Sequence, residues 1–252
     1  MKRAITGLIA AMMTTASVLT AMAAEKDVSI VLVHGAFVDA SGWQDVYNIL
    51  MADGYEVLAV QNPTVTLEGD AEATRRVIAR ASKPVILVGH SYGGAVITEA
   101  GNLPNVRSLV YLAAFAPEAG QSVYDIATEP TPGEDKAPLL PPSDGFLLVD
   151  PAKFPLAFAA GVDIATTRFM ANAQVPWGLG AVETKISKPA WKEKPAYFMV
   201  TTEDHMIPPS QQRAMAARIK AKVVEIDSSH AVMLSHPQDV AKFIVSATGP
   251  SN

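Results

Sequence analysis

Ten residues, Val85-Ile86-Leu87-Val88-Gly89-His90-Ser91-Tyr92-Gly93-Gly94, constrain this chain more than any other stretch. The apolar, β-branched run Val85–Val88 reads as a buried parallel strand. It stops at a glycine, and Gly94-Ala95-Val96-Ile97-Thr98-Glu99-Ala100 then reads as a helix. Between them lies G-x-S-x-G, with Ser91 at its centre. A serine on a tight turn between strand and helix is lifted above the sheet, and the flanking glycines let the two elements approach closely. The positive end of the following helix lies where an oxyanion would need stabilisation. The motif by itself is weak; the strand before it and the helix after it make Ser91 a candidate nucleophile.

The other elements fit an α/β architecture. Strands are expected at Val28–Val33, Tyr55–Val60, Val106–Phe115, Ala196–Thr201 and Val223–Ile226. Helices are expected over Ser41–Asp53 (closed by Gly54), from Gly69-Asp70 to Ala81 with Asp70 as cap, from Pro208-Pro209 to Lys220, and over Pro237–Thr248. The order β-α-β-α-β-α-β calls for a mostly parallel sheet of about six strands with helices on both faces. Residues 117–155 hold eight prolines and show no clean period. A long structureless loop inside a compact domain is disfavoured, so residues 117–189 are read as an inserted cap. Residues 24–116 and 190–252 then form the core.

The N-terminus reads differently. Lys2 and Arg3 precede a weakly apolar, threonine-containing run, and Ala21-Met22-Ala23 has the small-x-small cleavage pattern. Residues 1–23 are therefore expected to be a cleaved signal peptide. That places the mature protein in the periplasm or outside the cell, with no stable membrane anchor. Net charge is −5 over 252 residues, which speaks against a nucleic-acid partner. Cysteine is absent, which removes disulfides, thiolate metal sites and cysteine nucleophiles. No cofactor is implied, and no histidine–carboxylate spacing implies a metal beyond the weak Asp204-His205 pair.

In an open α/β sheet, sites gather at the carboxyl ends of the strands. Those ends carry His34-Gly35-Ala36, Ser91, Asp204 and His230. The chain order Ser, Asp, His suits a triad with Ser91 as nucleophile, His230 as general acid/base and Asp204 as the carboxylate that orients it. The backbone N–H groups of Ala36 and Tyr92 would form the oxyanion hole, and Phe37 and Tyr92 would face substrate. Alternatives remain among the five histidines: His90 lies in the elbow, His205 beside the acid and His236 at the last helix. Glu118 competes with Asp204, and His34 is expected to hold the oxyanion loop by hydrogen bonding. Phe146, Leu147, Phe154, Phe158, Phe169, Met170 and Trp177 would divide between pocket lining and cap core.

Nearly the whole chain after residue 23 resembles the α/β-hydrolase superfamily. It is most similar to the compact capped branch of methyl-salicylate esterases, hydroxynitrile lyases and bacterial carboxylesterases. The resemblance rests on Val33–Phe37, Gly89–Gly94, Ala113–Pro117, Asp204–Pro208 and Ser229–Leu234. It implies serine esterase chemistry on a small-molecule ester beneath a cap, and an eight-stranded sheet. There is almost no room for the first strand pair before Val28, hence the expectation of six. Resemblance to the hydroxynitrile lyases fails at Ala231 and Ala36, where those enzymes carry lysine and threonine. A dehalogenase or epoxide hydrolase would need aspartate at position 91. Lactone, thioester, amide or peroxyacid chemistry, and a receptor-like protein with negligible turnover, remain open.

Overall fold

The computed structural model describes residues 26–249, so the expected signal peptide lies outside the described residues. β1 (Ser29–Val33) runs through a 3-10 turn, Ala40–Trp43, into α1 (Gln44–Ala52). Then follow β2 (Glu56–Val60), α2 (Leu67–Ile78), β3 (Val85–His90), α3 (Gly93–Ala100) and β4 (Val106–Leu112). After β4 the chain makes α4 (Val123–Ala127), β5 (Phe146–Leu147), α5 (Phe154–Ala157), α6 (Ile164–Asn172), β6 (Trp177–Gly178) and α7 (Leu179–Glu183). It returns through β7 (Ala196–Thr201), α8 (Pro209–Arg218), β8 (Lys222–Ile226), α9 (Val232–Ser235) and α10 (Pro237–Ser246).

The main sheet has six strands in the order β2-β1-β3-β4-β7-β8, with every neighbouring pair parallel. Every residue of β1, β3 and β7 is buried, which is why these strands are apolar without alternation. The chain steps from β1 out to β2, then back past β1 to β3. Right-handed crossovers therefore send α1 to one face and α2 and α3 to the other. α1 packs against α10, and α2 against α3. β5 and β6 pair antiparallel in a separate small sheet between β4 and β7. Among the described residues, no helix is long and apolar enough to cross a membrane.

Two expected boundaries are corrected. The second helix begins at Leu67, not at Asp70, because the side chain of Thr66 accepts from Gly69 N–H and caps it there. Asp70 is instead buried inside the helix. The fourth strand stops at Leu112, three residues short of Phe115. Ala113 turns to φ +45°, and Phe115 N–H leaves the sheet ladder to bond Ser91 C=O at 3.1 Å. The end of this strand is given over to bracing the elbow.

Candidate active site

Ser91 sits between β3 and α3 with φ +55°, a left-handed conformation costly for a residue with a side chain. Its backbone is fully engaged. Its N–H bonds Leu112 C=O at 3.2 Å, and its carbonyl accepts from Gly94 N–H at 2.9 Å as well as from Phe115. Glycine is required at 89 because a Cβ there would lie 2.5 Å from the carbonyl oxygen of Gly93. Gly35 brings the loop after β1 onto the serine itself: a Cβ on Gly35 would stand 2.6 Å from Ser91 Cβ and 3.2 Å from its Oγ. Ala36, the expected oxyanion donor, is thereby placed next to the nucleophile candidate.

His230 and Asp204 come from loops after β8 and β7. Their side chains are almost wholly buried, and His230 Nδ1 lies 2.8 Å from Asp204 Oδ2. Four further donors converge on the carboxylate. Oδ1 accepts from Met206 N–H at 2.7 Å and Ile207 N–H at 2.9 Å. Oδ2 accepts from Thr201 Oγ1 at 2.9 Å and Gln212 Nε2 at 2.8 Å. A carboxylate accepts and does not donate, so this arrangement puts the imidazole proton on Nδ1 and leaves Nε2 as a lone pair. Nε2 is buried and has no hydrogen-bond partner, so no bond to Ser91 Oγ is made.

The profile of the alpha/beta hydrolase family matches residues 30–243. The chain belongs to the alpha/beta hydrolase family, and the protein is a hydrolase. An alpha/beta hydrolase of Aspergillus novofumigatus is 28% identical over 243 residues, covering 88% of this chain and 96% of that one. A carbendazim hydrolyzing esterase of Nocardioides is 37% identical over 123 residues, 43% of this chain and 51% of its own. The fold is shared with a pyrethroid hydrolase of Sphingobium faniae, at TM-score 0.74 and 24% identity over 88% of this chain and 98% of that one. Polyneuridine aldehyde esterase has the same fold, at TM-score 0.74 and 20% identity over 89% and 100% of the two chains.

In this hydrolase the competing acid and histidines have other partners. Glu118 faces Lys192 at 3.6 Å and Arg218 at 3.7 Å. His205 pairs with Asp135 at 3.2 Å on the surface, and His236 Nδ1 lies 2.9 Å from Ser235 Oγ. His34 makes hydrogen bonds that hold the loop after β1. Its Nε2 accepts from Asn62 N–H at 2.9 Å, so Nδ1 carries the proton and donates to Gly35 C=O at 2.8 Å. Burial holds His34 below the usual imidazole range. His90 Nε2 donates to the carbonyl of His230 at 2.9 Å, and the two rings stand 4.6 Å apart. Burial first, and then the neighbouring His230, press His90 well below its ordinary pKa, so it is neutral.

The Tyr92 ring requires a correction. Expected to face substrate, it is wholly buried and its hydroxyl donates to Asp70 Oδ2 at 2.6 Å. Phe37 is also nearly buried, but its ring meets Trp177 edge-on at 5.5 Å and borders a cavity. Of the expected lining residues, Leu147 and Trp177 border one cavity and Phe169 and Met170 another. Phe158 does something else: its ring stands against His230 at 4.9 Å, and its carbonyl accepts from Ala231 N–H at 2.9 Å. Ser229 Oγ adds a bond to Ala160 C=O at 2.8 Å, so the segment between β4 and β7 braces the His230 loop. Sequence reasoning missed Asp70, Thr201, Gln212 and Asn62, because each acts across 3 to 28 residues of chain with no spacing motif. Among the described residues, no three His, Cys, Asp or Glu side chains group as metal ligands.

Proposed function

We propose that this hydrolase cleaves carboxylic esters of small molecules through an acyl-enzyme, with Ser91 as nucleophile, His230 as base and Asp204 as its orienting carboxylate. The observation that carries this reading is the buried His230–Asp204 pair with Nε2 left unpaired, on a loop whose His230 carbonyl accepts from His90, the residue before the strained Ser91. Catalytic hydrogen bonds are often long before substrate binds and tighten in the Michaelis complex. His230 Nε2 takes the Ser91 hydroxyl proton as Oγ bonds the carbonyl carbon. The Ala36 and Tyr92 N–H groups receive the oxyanion. His230 then gives its proton to the departing alkoxide, and water repeats the sequence on the acyl-enzyme. Residues 117–189 act as the cap, and residues 1–23 direct export to the periplasm or beyond.

The test is p-nitrophenolate release from short and medium acyl esters by wild type and Ser91→Ala. A fall on the order of a thousandfold or more is expected in the variant. Equal rates in the two proteins would sink covalent serine catalysis and turn attention to ligand binding.

A further inference from the structure

The two amides proposed for the oxyanion belong to different loops, Ala36 to the loop after β1 and Tyr92 to the turn after β3. Whatever joins those loops sets the spacing of the amides, and a third piece of chain touches both. The loop after β2 reaches the first through Asn62. Its N–H donates to His34 Nε2 and its Nδ2 to His34 C=O, both at 2.9 Å. It reaches the second through Thr64, whose N–H donates to Asp70 Oδ1 at 2.8 Å, while Asp70 Oδ2 accepts from the Tyr92 hydroxyl at 2.6 Å.

Thr64 spends its remaining polar groups on the segment between β4 and β7. Its Oγ1 donates to Pro176 C=O at 2.9 Å, and its carbonyl accepts from Gly178 N–H at 2.8 Å. Between those two residues, the Trp177 ring stands 5.3 Å from the Tyr92 ring and 5.5 Å from the Phe37 ring. Val175 N–H bonds the carbonyl of Phe37, the residue after Ala36, at 3.4 Å. Glycine is required at 178, because a Cβ there would lie 2.3 Å from Val65 C=O. Residues 175–178 therefore touch both loops, and Thr64 is where they are tied to the loop after β2. Thr64 is wholly buried and holds φ +56°. A β-branched residue in the left-handed region is a backbone outlier, and such strain persists where the surroundings over-determine it. Three hydrogen bonds on this one residue do so.

Resting on the ester-cleaving reading, we propose that Thr64 is a positioning residue for the oxyanion hole. By fixing residues 176–178 against the loop after β2, it holds Phe37 and Tyr92, and with them the Ala36 and Tyr92 amides, at the spacing a tetrahedral oxyanion needs. Such donors must stand about 2.7–3.1 Å from the oxyanion, a position the ground-state carbonyl oxygen does not occupy. A small displacement of either loop is then felt in the transition state and not in substrate binding. Loosening the brace lowers kcat and leaves KM near its original value.

The experiment compares inhibition by benzyl trifluoromethyl ketone and benzyl methyl ketone. With the first, Ser91 Oγ bonds the carbonyl carbon, its proton passes to His230 Nε2, and the carbonyl π pair becomes the oxyanion of a hemiketal. The second binds without that addition. Wild type is expected to favour the fluorinated ketone by about a hundredfold or more. Thr64→Val keeps the β-branched shape and both backbone bonds, and removes the Oγ1 bond to Pro176. It should narrow that preference at least fivefold and lower kcat on p-nitrophenyl esters by a similar factor, with KM within twofold of wild type. Thr64→Ser keeps the hydroxyl and should restore both. Tyr92→Phe cuts the same circuit at Asp70 and keeps the ring against Trp177. It should act alike, and it decides the matter if Thr64→Val does not fold. Ser108→Ala removes a buried hydroxyl bond to Ala247 C=O beside Ile86, at the end of β3 away from Ser91. It should lower stability and keep the wild-type preference. A preference unchanged in folded Thr64→Val, or narrowed equally in Ser108→Ala, overturns the positioning role while covalent serine catalysis stands. No preference in wild type, or the same preference in Ser91→Ala, overturns both.

Discussion

Two buried aspartates, Asp204 accepting from the His230 ring and Asp70 from the Tyr92 hydroxyl, differ in what surrounds them. Asp204 takes five donors, one of them His230 Nδ1, from the end of β7, the loop after it, the helix α8 and the loop after β8. Asp70 takes two, the Tyr92 hydroxyl and Thr64 N–H at 2.8 Å. Burial dominates at Asp70 and raises its pKa, despite both hydrogen bonds. Tyr92 in turn is pushed well above the usual phenol range by burial and by the Asp70 charge. A carboxylate under that many donors is a fixed electrostatic element. A carboxylate with few is a polar tie that the fold could hold in neutral form. The first sits beside His230; the second anchors the residue after Ser91, and with it the amide proposed for the oxyanion.

The same substitution should therefore give unequal results, and the contrast can be broken from either side. Asp204→Asn turns an NH₂ group toward donors and removes the acceptor that fixes the His230 tautomer. A loss of about 10⁴ in kcat is expected, read in the p-nitrophenyl ester assay. A loss below tenfold would take Asp204 out of the machinery. Asp70→Ala leaves the Tyr92 hydroxyl buried without its acceptor and should cost about 1–3 kcal/mol of stability, seen as a lower urea midpoint. Unchanged stability would mean the tie contributes nothing.

A smaller effect concerns pH. His34 and His90 have depressed folded-state pKa values, so their contribution to stability is complete above the unfolded imidazole range and declines as pH falls through about 6.5. Below that, the unfolded chain binds protons that the native state excludes. Urea midpoints should drop between pH 7.5 and 5.5, with a shallower slope in His90→Gln; a flat wild-type profile would contradict neutral burial. Asp70 has the opposite sign: its raised folded-state pKa means its contribution is present at low pH and lost as pH rises. Asp70→Asn keeps an acceptor oxygen without the buried charge. It should change activity less than tenfold and shift stability by no more than about 1 kcal/mol. A defect as large as that of Asp204→Asn would erase the distinction between the two sites.

Local pattern made much of this protein legible. The apolar runs of β1, β3 and β7, the glycines around Ser91 and the prolines after β4 report on burial, close approach and the end of regular structure within a few residues of themselves. From these the six-stranded parallel sheet, the elbow and the Ser-Asp-His order could be read. The partners of those residues could not. Asp70 looked like a helix cap because capping is local, yet its hydrogen bond goes to a tyrosine 22 residues away. Tyr92 looked available to substrate because it follows Ser91, and only the packing of α2 against α3 shows its hydroxyl spent beneath the elbow.

Sequence by itself determined which residues lie at strand ends, because hydrophobic period and turn chemistry act over one or two turns of chain. Tertiary structure alone decided which histidine meets which acid, which aspartate carries five donors and which two, and how the Phe37 ring meets Trp177. The His230–Asp204, Tyr92–Asp70 and Phe37–Trp177 contacts join residues 26, 22 and 140 apart in the chain, and depend on the burial that removes water as an alternative partner.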